Sequence, residues 1–133
     1  PIHSSAASDV YKRQGLERKF TARFNKNLSA HEIFKNAKDN SQNEIEIIDE
    51  FKKKLARSLS LIINVIDPDA IVFGGGVSNE IESLDEIKKT TEKYLSNFNN
   101  IKNVNLKTIF LKPKFGDASG VRGAAILSKQ NTI

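Results

Sequence analysis

The residues of this chain best suited to chemistry lie in two glycine-rich blocks. Gly74-Gly75-Gly76 closes a short apolar run, and Gly116-Asp117-Ala118-Ser119-Gly120-Val121-Arg122-Gly123-Ala124-Ala125 lies near the carboxy end. Glycines permit positive φ and leave backbone amides open to an anion or a flat ring. The triplet is not a Gly-Lys-Ser/Thr phosphate loop, since Val77-Ser78 follows it, and it is not a GxGxxG dinucleotide fingerprint. On the residues alone it reads equally as a tight turn after a strand. In the second block, Asp117 or Ser119 can cap a helix. Gly120, Gly123 and Ala124 would give that helix a face almost without side chains. Such a face suits close helix–sheet packing as well as a planar ligand, and Arg122 can meet either a carboxylate or a phosphate.

Other chemistries find little support. The chain has no cysteine, which excludes disulfides and thiolate metal sites. His3 and His31 are too few and too far apart to make a metal site, and no Ser/His/Asp arrangement is available. The carboxylate pairs Glu44/Glu46 and Asp49/Glu50 fall on an amphipathic helix and are expected to face solvent. The net charge of +5 is spread among mixed signs, as in Asp49-Glu50-Phe51-Lys52-Lys53-Lys54. Mixing of that kind marks a solvated helix face, so no nucleic-acid partner is expected. The longest apolar patch, Leu59 to Ile66, is broken by Ser60 and Asn64 and falls short of the roughly 20 residues a membrane span needs. With no secretory signal in the first residues, the expectation is a cytoplasmic protein.

The elements that must position the glycines can be read from periodicity. At 133 residues the chain fits one domain, or one lobe of a larger one. Residues 1–14, PIHSSAASDVYKRQ, show no period; Ala7 to Gln14 resembles the translated linker tails at the ends of metagenomic reading frames, and the stretch is set aside as non-native or disordered. Leu16, Phe20 and Phe24 predict a short helix, and Ser29-Ala30-His31-Glu32 forms a capping box before a second one with Ile33, Phe34 and Ala37 inside. A third helix runs from about Gln42 to Val65 on a stripe of Ile45, Ile48, Phe51, Leu55, Leu59, Ile62 and Ile63. Its apolar end, Leu61 to Ile66, is expected to be buried, and Asp67-Pro68 stops it. Ala70-Ile71-Val72-Phe73 reads as a buried parallel strand. Ser83-Leu84-Asp85-Glu86 reads as a second capping box, opening a helix to about Phe98 with Leu84, Ile87, Tyr94, Leu95 and Phe98 inward. A strand over Asn105 to Leu111 and a helix from near Ser119 to near Lys129 complete the order, which argues for parallel βαβ units with several packed helices.

At this point the motifs resemble a known family. Ile66 to Asn79 is similar to the "DPDxIVxGGGxSN" segment of the ROK family of bacterial sugar kinases and repressors. Gly116 to Ala125 resembles its "GDxSGVRGAA" block, Leu55 to Leu59 its "LAxSL", and Gly15-Leu16-Glu17 the end of its "SGxG" segment. The likeness runs from Gly15 to about Leu127. It implies the carboxy-terminal part of an actin/hexokinase-like (ribonuclease H-like) ATPase fold, with residues 15–133 as the carboxy-terminal lobe. It further implies that Gly74, Gly75, Gly76, Gly116 and Asp117 approach a bound nucleotide.

The family's "DxGGT" phosphate loop, catalytic aspartate, sugar-binding Glu and His, and zinc motif have no counterpart in this sequence. The chain also lacks methionine and opens on Pro1, so it reads as an internal piece of a longer kinase, inactive alone. The resemblance is stronger to fructokinase-, mannokinase- and N-acetylglucosamine-kinase-like members than to the repressors. It implies ATP with Mg²⁺ as cosubstrate, a hexose or N-acetylhexosamine as acceptor, and a homodimer. Without the rest of the protein, the face of Ile45, Ile48, Phe51 and Leu55 is expected to be left partly bare. A sugar-responsive ROK repressor is the alternative, and a stand-alone interaction module built on the long helix would leave both glycine blocks unexplained.

Overall fold

The computed structural model describes residues 13–113 and orders them as three helices, a strand, a helix and a strand. Helix α1 (Arg13–Phe24) starts two residues ahead of the expected boundary and buries Leu16 and Phe20. The Phe20 and Phe24 rings meet at 4.9 Å. Helix α2 (Ala30–Lys38) carries the predicted capping box: the Glu32 N–H donates to Ser29 Oγ at 3.2 Å, and the Ser29 N–H to Glu32 Oε2 at 2.8 Å. Glu17 of α1 accepts the Ala30 N–H at 2.9 Å, which fastens the two helices at their junction.

Helix α3 (Gln42–Ile66) is the spine against which the others pack. Its buried stripe is Ile47, Ile48, Phe51, Leu55, Ala56, Leu59 and Ile63. Ile47 replaces Ile45 in the stripe, and Ile45 is only half-buried. The face of Ile48, Phe51 and Leu55 is therefore covered rather than bare, which removes the reason for expecting self-association through it. The end expected to be buried is open instead: Val65 is 85% and Ile66 67% exposed, and Leu61 and Ile62 are exposed beside them. The apolar sequence there outruns the elements that cover it. The helix stops at Asp67, left-handed at φ 49°, whose N–H reaches the Ile63 carbonyl at 2.9 Å just before Pro68.

Strand β1 (Ala70–Val72) and strand β2 (Ile109–Leu111) pair in parallel, Ile71 opposite Phe110, and helix α4 (Asp85–Asn99) lies between them in sequence. This is the expected βαβ order. β1 is half-buried rather than buried, with all three of its residues intermediate. Phe73 and Phe110 pack inward at 5.2 Å, while Ile109 and Leu111 face out. β2 is also shorter than the expected Asn105–Leu111. The preceding residues bond elsewhere: the Leu106 N–H donates to Glu92 Oε1 at 3.1 Å, and Thr108 Oγ1 to the Pro68 carbonyl at 2.8 Å.

The second capping box does not form. Leu84 is the N-cap of α4, and the Ser83 hydroxyl accepts the Asp85 N–H at 3.2 Å, one residue short of the amide a capping box uses. Glu86 does not reach back to the cap, and its Oε2 meets Lys52 Nζ of α3 at 2.7 Å. Inside α4, Ile87, Thr91 and Leu95 are buried, whereas Phe98 is exposed and Leu84 and Tyr94 are intermediate.

The carboxylates on α3 are also less uniform than expected. Glu44 is buried and accepts from Asn36 Nδ2 of α2 at 3.4 Å. Glu50 meets Arg23 of α1 at 2.6 Å and Lys54 at 3.1 Å, and these two cations hold its carboxyl down at about 2. A carboxylate with a depressed folded pKa stabilises at pH values above its unfolded pKa and loses that contribution as pH falls through the folded one. The wild-type chain should therefore lose stability between the ordinary value of 4.5 and about 2. Glu50→Gln should flatten that slope and lower stability at neutral pH by about 1 kcal/mol, because the pair is partly exposed. Urea midpoints at pH 7, 4 and 2.5 check this; equal slopes for the two proteins would refute it.

Candidate functional site

The carboxy end of β1 delivers the chain directly into Gly74-Gly75-Gly76. In an α/β sheet this is the side on which ligands bind, since the loops there can open a crevice beyond the strand ends. Because β1 and β2 are parallel with Val72 opposite Leu111, the chain also leaves β2 at this same edge.

The three glycines have different surroundings. Gly75 stands at φ +98°, a conformation that glycine adopts freely and other residues rarely do. Gly74 has an ordinary φ and, like Gly75, nothing within 4 Å of where a Cβ would be. Gly76 lies against the Arg13 side chain, on which a Cβ there would fall. The triplet thus combines a turn that needs glycine at Gly75 with open backbone at Gly74.

The loop beyond is anchored from below. Val77 and Ser78 are buried, and Ser78 Oγ donates to the Gly75 carbonyl at 2.7 Å, bracing the turn. The Glu80 N–H closes onto the Val77 carbonyl at 3.0 Å, and His31 of α2 contacts Glu80 at 3.1 Å. Lys112, just past β2, donates to the carbonyls of Ile81 and Glu82, tying the exit of the loop to the exit of the neighbouring strand. Apolar walls continue underneath: a cavity of about 320 Å³ opens between α3 and β1, lined by Leu55, Leu59, Ile62, Val72, Phe73 and Gly74 among others.

Ser78 and Lys112 were not singled out by the sequence. Ser78 stands three residues after Gly75, the spacing at which a hydroxyl can brace a turn, and that was the available signal. Lys112 had none, because its role depends on the parallel pairing. Arg13 lay in the stretch set aside. Gly116 and Asp117, with the rest of the second block and the helix expected after it, lie outside the described residues. Among the described residues no group of three or more His, Cys, Asp or Glu could hold a metal, and no helix is long and apolar enough to cross a membrane.

Comparison with known proteins adds an independent line. The sequence model described as "ROK family" matches residues 9–131. An N-acetyl-D-glucosamine kinase of Photobacterium profundum is 34% identical over 115 residues, 86% of this chain and 36% of that protein. One of Histophilus somni is 31% identical over 125 residues, 93% of this chain and 39% of its own length. One of Aliivibrio fischeri is 29% identical over 115 residues, 86% of this chain and 36% of its own length. The chain thus spans little more than a third of the length of these relatives.

The contrast between Gly74 and Gly75 is directly measurable. Gly75→Ala must hold a side chain at positive φ and should lose about 1 kcal/mol or more, whereas Gly74→Ala meets no atom and should stay within about 0.5 kcal/mol of wild type. Equal losses in urea unfolding would show that the loop conformation differs from the one described.

Proposed function

The chain belongs to the ROK family, and on that premise we propose that it is the carboxy-terminal part of an ATP-dependent sugar kinase whose acceptor is N-acetylglucosamine or a related hexose. The observation that carries the reading is the open backbone of Gly74 and Gly75 at the carboxy edge of β1. Relatives named as N-acetyl-D-glucosamine kinases that match across this loop support the choice of substrate.

In this reading Gly74 and Gly75 let a nucleotide approach the backbone where any side chain would stand in the way. The fit is of the right kind, since both positions are free of neighbours and the turn is braced by Ser78 from the buried side. Gly116 and Asp117 follow β2 in sequence, and in this reading they would also contribute to the nucleotide site. ATP with Mg²⁺ supplies the phosphoryl group, and its transfer to a sugar hydroxyl needs positioning, charge neutralisation and a base. No described residue near the loop is a carboxylate placed as that base; it would come from the portion of the kinase this chain does not span. Such chemistry belongs in the cytoplasm, where ATP is held.

Two measurements test the reading. The 133-residue chain alone, assayed with ATP, Mg²⁺ and N-acetylglucosamine, glucose, mannose or fructose, should stay at background. A chimaera in which this chain replaces the matching region of the Photobacterium profundum kinase should phosphorylate N-acetylglucosamine. Gly74→Val in that chimaera should raise the KM for ATP several-fold and change the KM for the sugar much less. Gly74 is the better probe than Gly75, because Gly75→Val is strained whether or not a nucleotide binds. Unaltered ATP affinity in a folded Gly74→Val chimaera would leave the glycines as a turn only.

A further inference from the structure

Lys19 of α1 meets a second lysine where a carboxylate would be the ordinary partner. Arg23, one turn further along α1, reaches Glu46 at 3.3 Å and Glu50 at 2.6 Å on α3. Glu50 in turn holds Lys54 at 3.1 Å, one turn along its own helix. The ladder closes where Lys19, one turn before Arg23, hydrogen-bonds with Lys54. The charged groups facing Lys19 are thus Lys54 and Glu50 of α3 and Arg23 of its own helix. Fully charged, the ladder would set the cations Lys19, Arg23 and Lys54 against only Glu46 and Glu50.

Two ammonium groups cannot share a hydrogen bond, because each has protons to give and no lone pair to receive one. One nitrogen of the pair is therefore a free amine whenever the contact is made. Glu50 decides which. It lies against Lys54 and favours the charged form there, whereas Lys19 joins no ion pair among the described residues. Lys54 accordingly keeps its proton above the ordinary lysine value of 10.5. The contact with Lys54, and after it burial, holds Lys19 below that value. A lysine beside another cation is an activated nucleophile, since the free amine is the attacking species. Lys19 is also exposed, so a reagent in solution can reach it. From the ladder and this exposure we propose that Lys19 is a modification site, acylated by an activated acyl donor, either an acyl phosphate or a thioester. The Lys19 amine attacks the acyl carbonyl carbon and forms the C–N bond. The bond from that carbon to the phosphate oxygen or thioester sulfur breaks, the leaving group takes its electron pair, and the proton lost from nitrogen passes to solvent. The product amide carries no charge, so Arg23 and Lys54 are left balanced by Glu46 and Glu50. The inference does not depend on the kinase reading.

The test incubates the 133-residue chain with acetyl phosphate in one arm and acetyl-coenzyme A in the other, near neutral pH. Acetylation at each lysine is followed in time by peptide mass spectrometry. Lys19 should react at least about threefold faster than Lys53 and Lys89, which are exposed on α3 and α4. Its rate against pH should reach half its maximum below 10.5. Lys54→Gln removes the neighbouring cation and should bring Lys19 down to the rate of the reference lysines, with the circular dichroism unchanged. If that variant does not fold, the pH profile of Lys19 in the wild-type chain decides. Faster reaction at Lys19 in one arm only upholds the site and identifies its donor. Rates at Lys19 equal to the reference lysines in both arms overturn the proposal. So does faster reaction at Lys54 than at Lys19, which would place the free amine on the other nitrogen. A fast Lys19 that is indifferent to a folded Lys54→Gln overturns it as well.

Discussion

The described structure depends on one apolar stripe along α3. Ile47, Phe51, Leu55 and Leu59 are each nearly removed from solvent, and α1, α2 and α4 all pack against the helix that carries them. Helices of nine to fifteen residues such as α2 and α4 are marginal by themselves in water. Their stability comes from burying Ile33, Phe34, Ile87 and Leu95 in the core built on that stripe. The glycine loop inherits its position from the same source. Phe73 and Val77, on either side of the triplet, belong to the core cluster, so the glycines are carried as a short arch between two buried anchors.

The polar contacts add direction to this burial. Glu17 and the Ser29–Glu32 box fix where α2 begins, Arg23 and Glu50 join α1 to α3, and Lys52 and Glu86 join α3 to α4. Partly exposed pairs of this kind contribute little each. Their effect is to choose one arrangement among several that would bury similar apolar area. Thr91 follows the same logic inside the core: its hydroxyl is buried but bonded to the Ile87 carbonyl at 2.7 Å, so it leaves no unmet donor.

What the sequence made legible follows from how local each cause is. The capping box at Ser29, the stop at Asp67-Pro68 and the four-residue spacing of Leu16, Phe20 and Phe24 act within a turn or two, and each appears where the residues place it. The same pattern at Ser83 does not form a box: the helix begins one residue later, at the Leu84 cap, and Glu86 meets a cation distant in sequence, Lys52. A tertiary partner of that sort leaves no local trace. The stripe on α3 was legible in period but not in extent, since periodicity identifies an apolar face and does not say what covers it. Hence Ile47 was missed within the stripe, and Val65 and Ile66 were assigned to a core that the described residues do not supply. At the candidate site the glycines were visible as residue types. Their division of labour was not, because φ at Gly75 and the empty space over Gly74 depend on how Phe73 and Val77 are held.

That division bears on how a loop of this kind can serve both stability and binding. A turn that must hold positive φ stays glycine whether or not a ligand exists, so Gly75 alone says nothing about function. Gly74 is different: its φ would accept any residue and nothing stands near it, yet it carries no side chain. Gly74 therefore leaves bare backbone at the carboxy end of β1, the side of a parallel sheet beyond which ligands bind. The bracing of the turn by Ser78 strengthens the argument. With the Gly75 carbonyl held from the buried side, the loop cannot sag toward the core, and the open side of Gly74 keeps facing outward. The core therefore does more than support the site. By fixing both ends of the arch it decides which glycine must hold positive φ and which is left with open space over it.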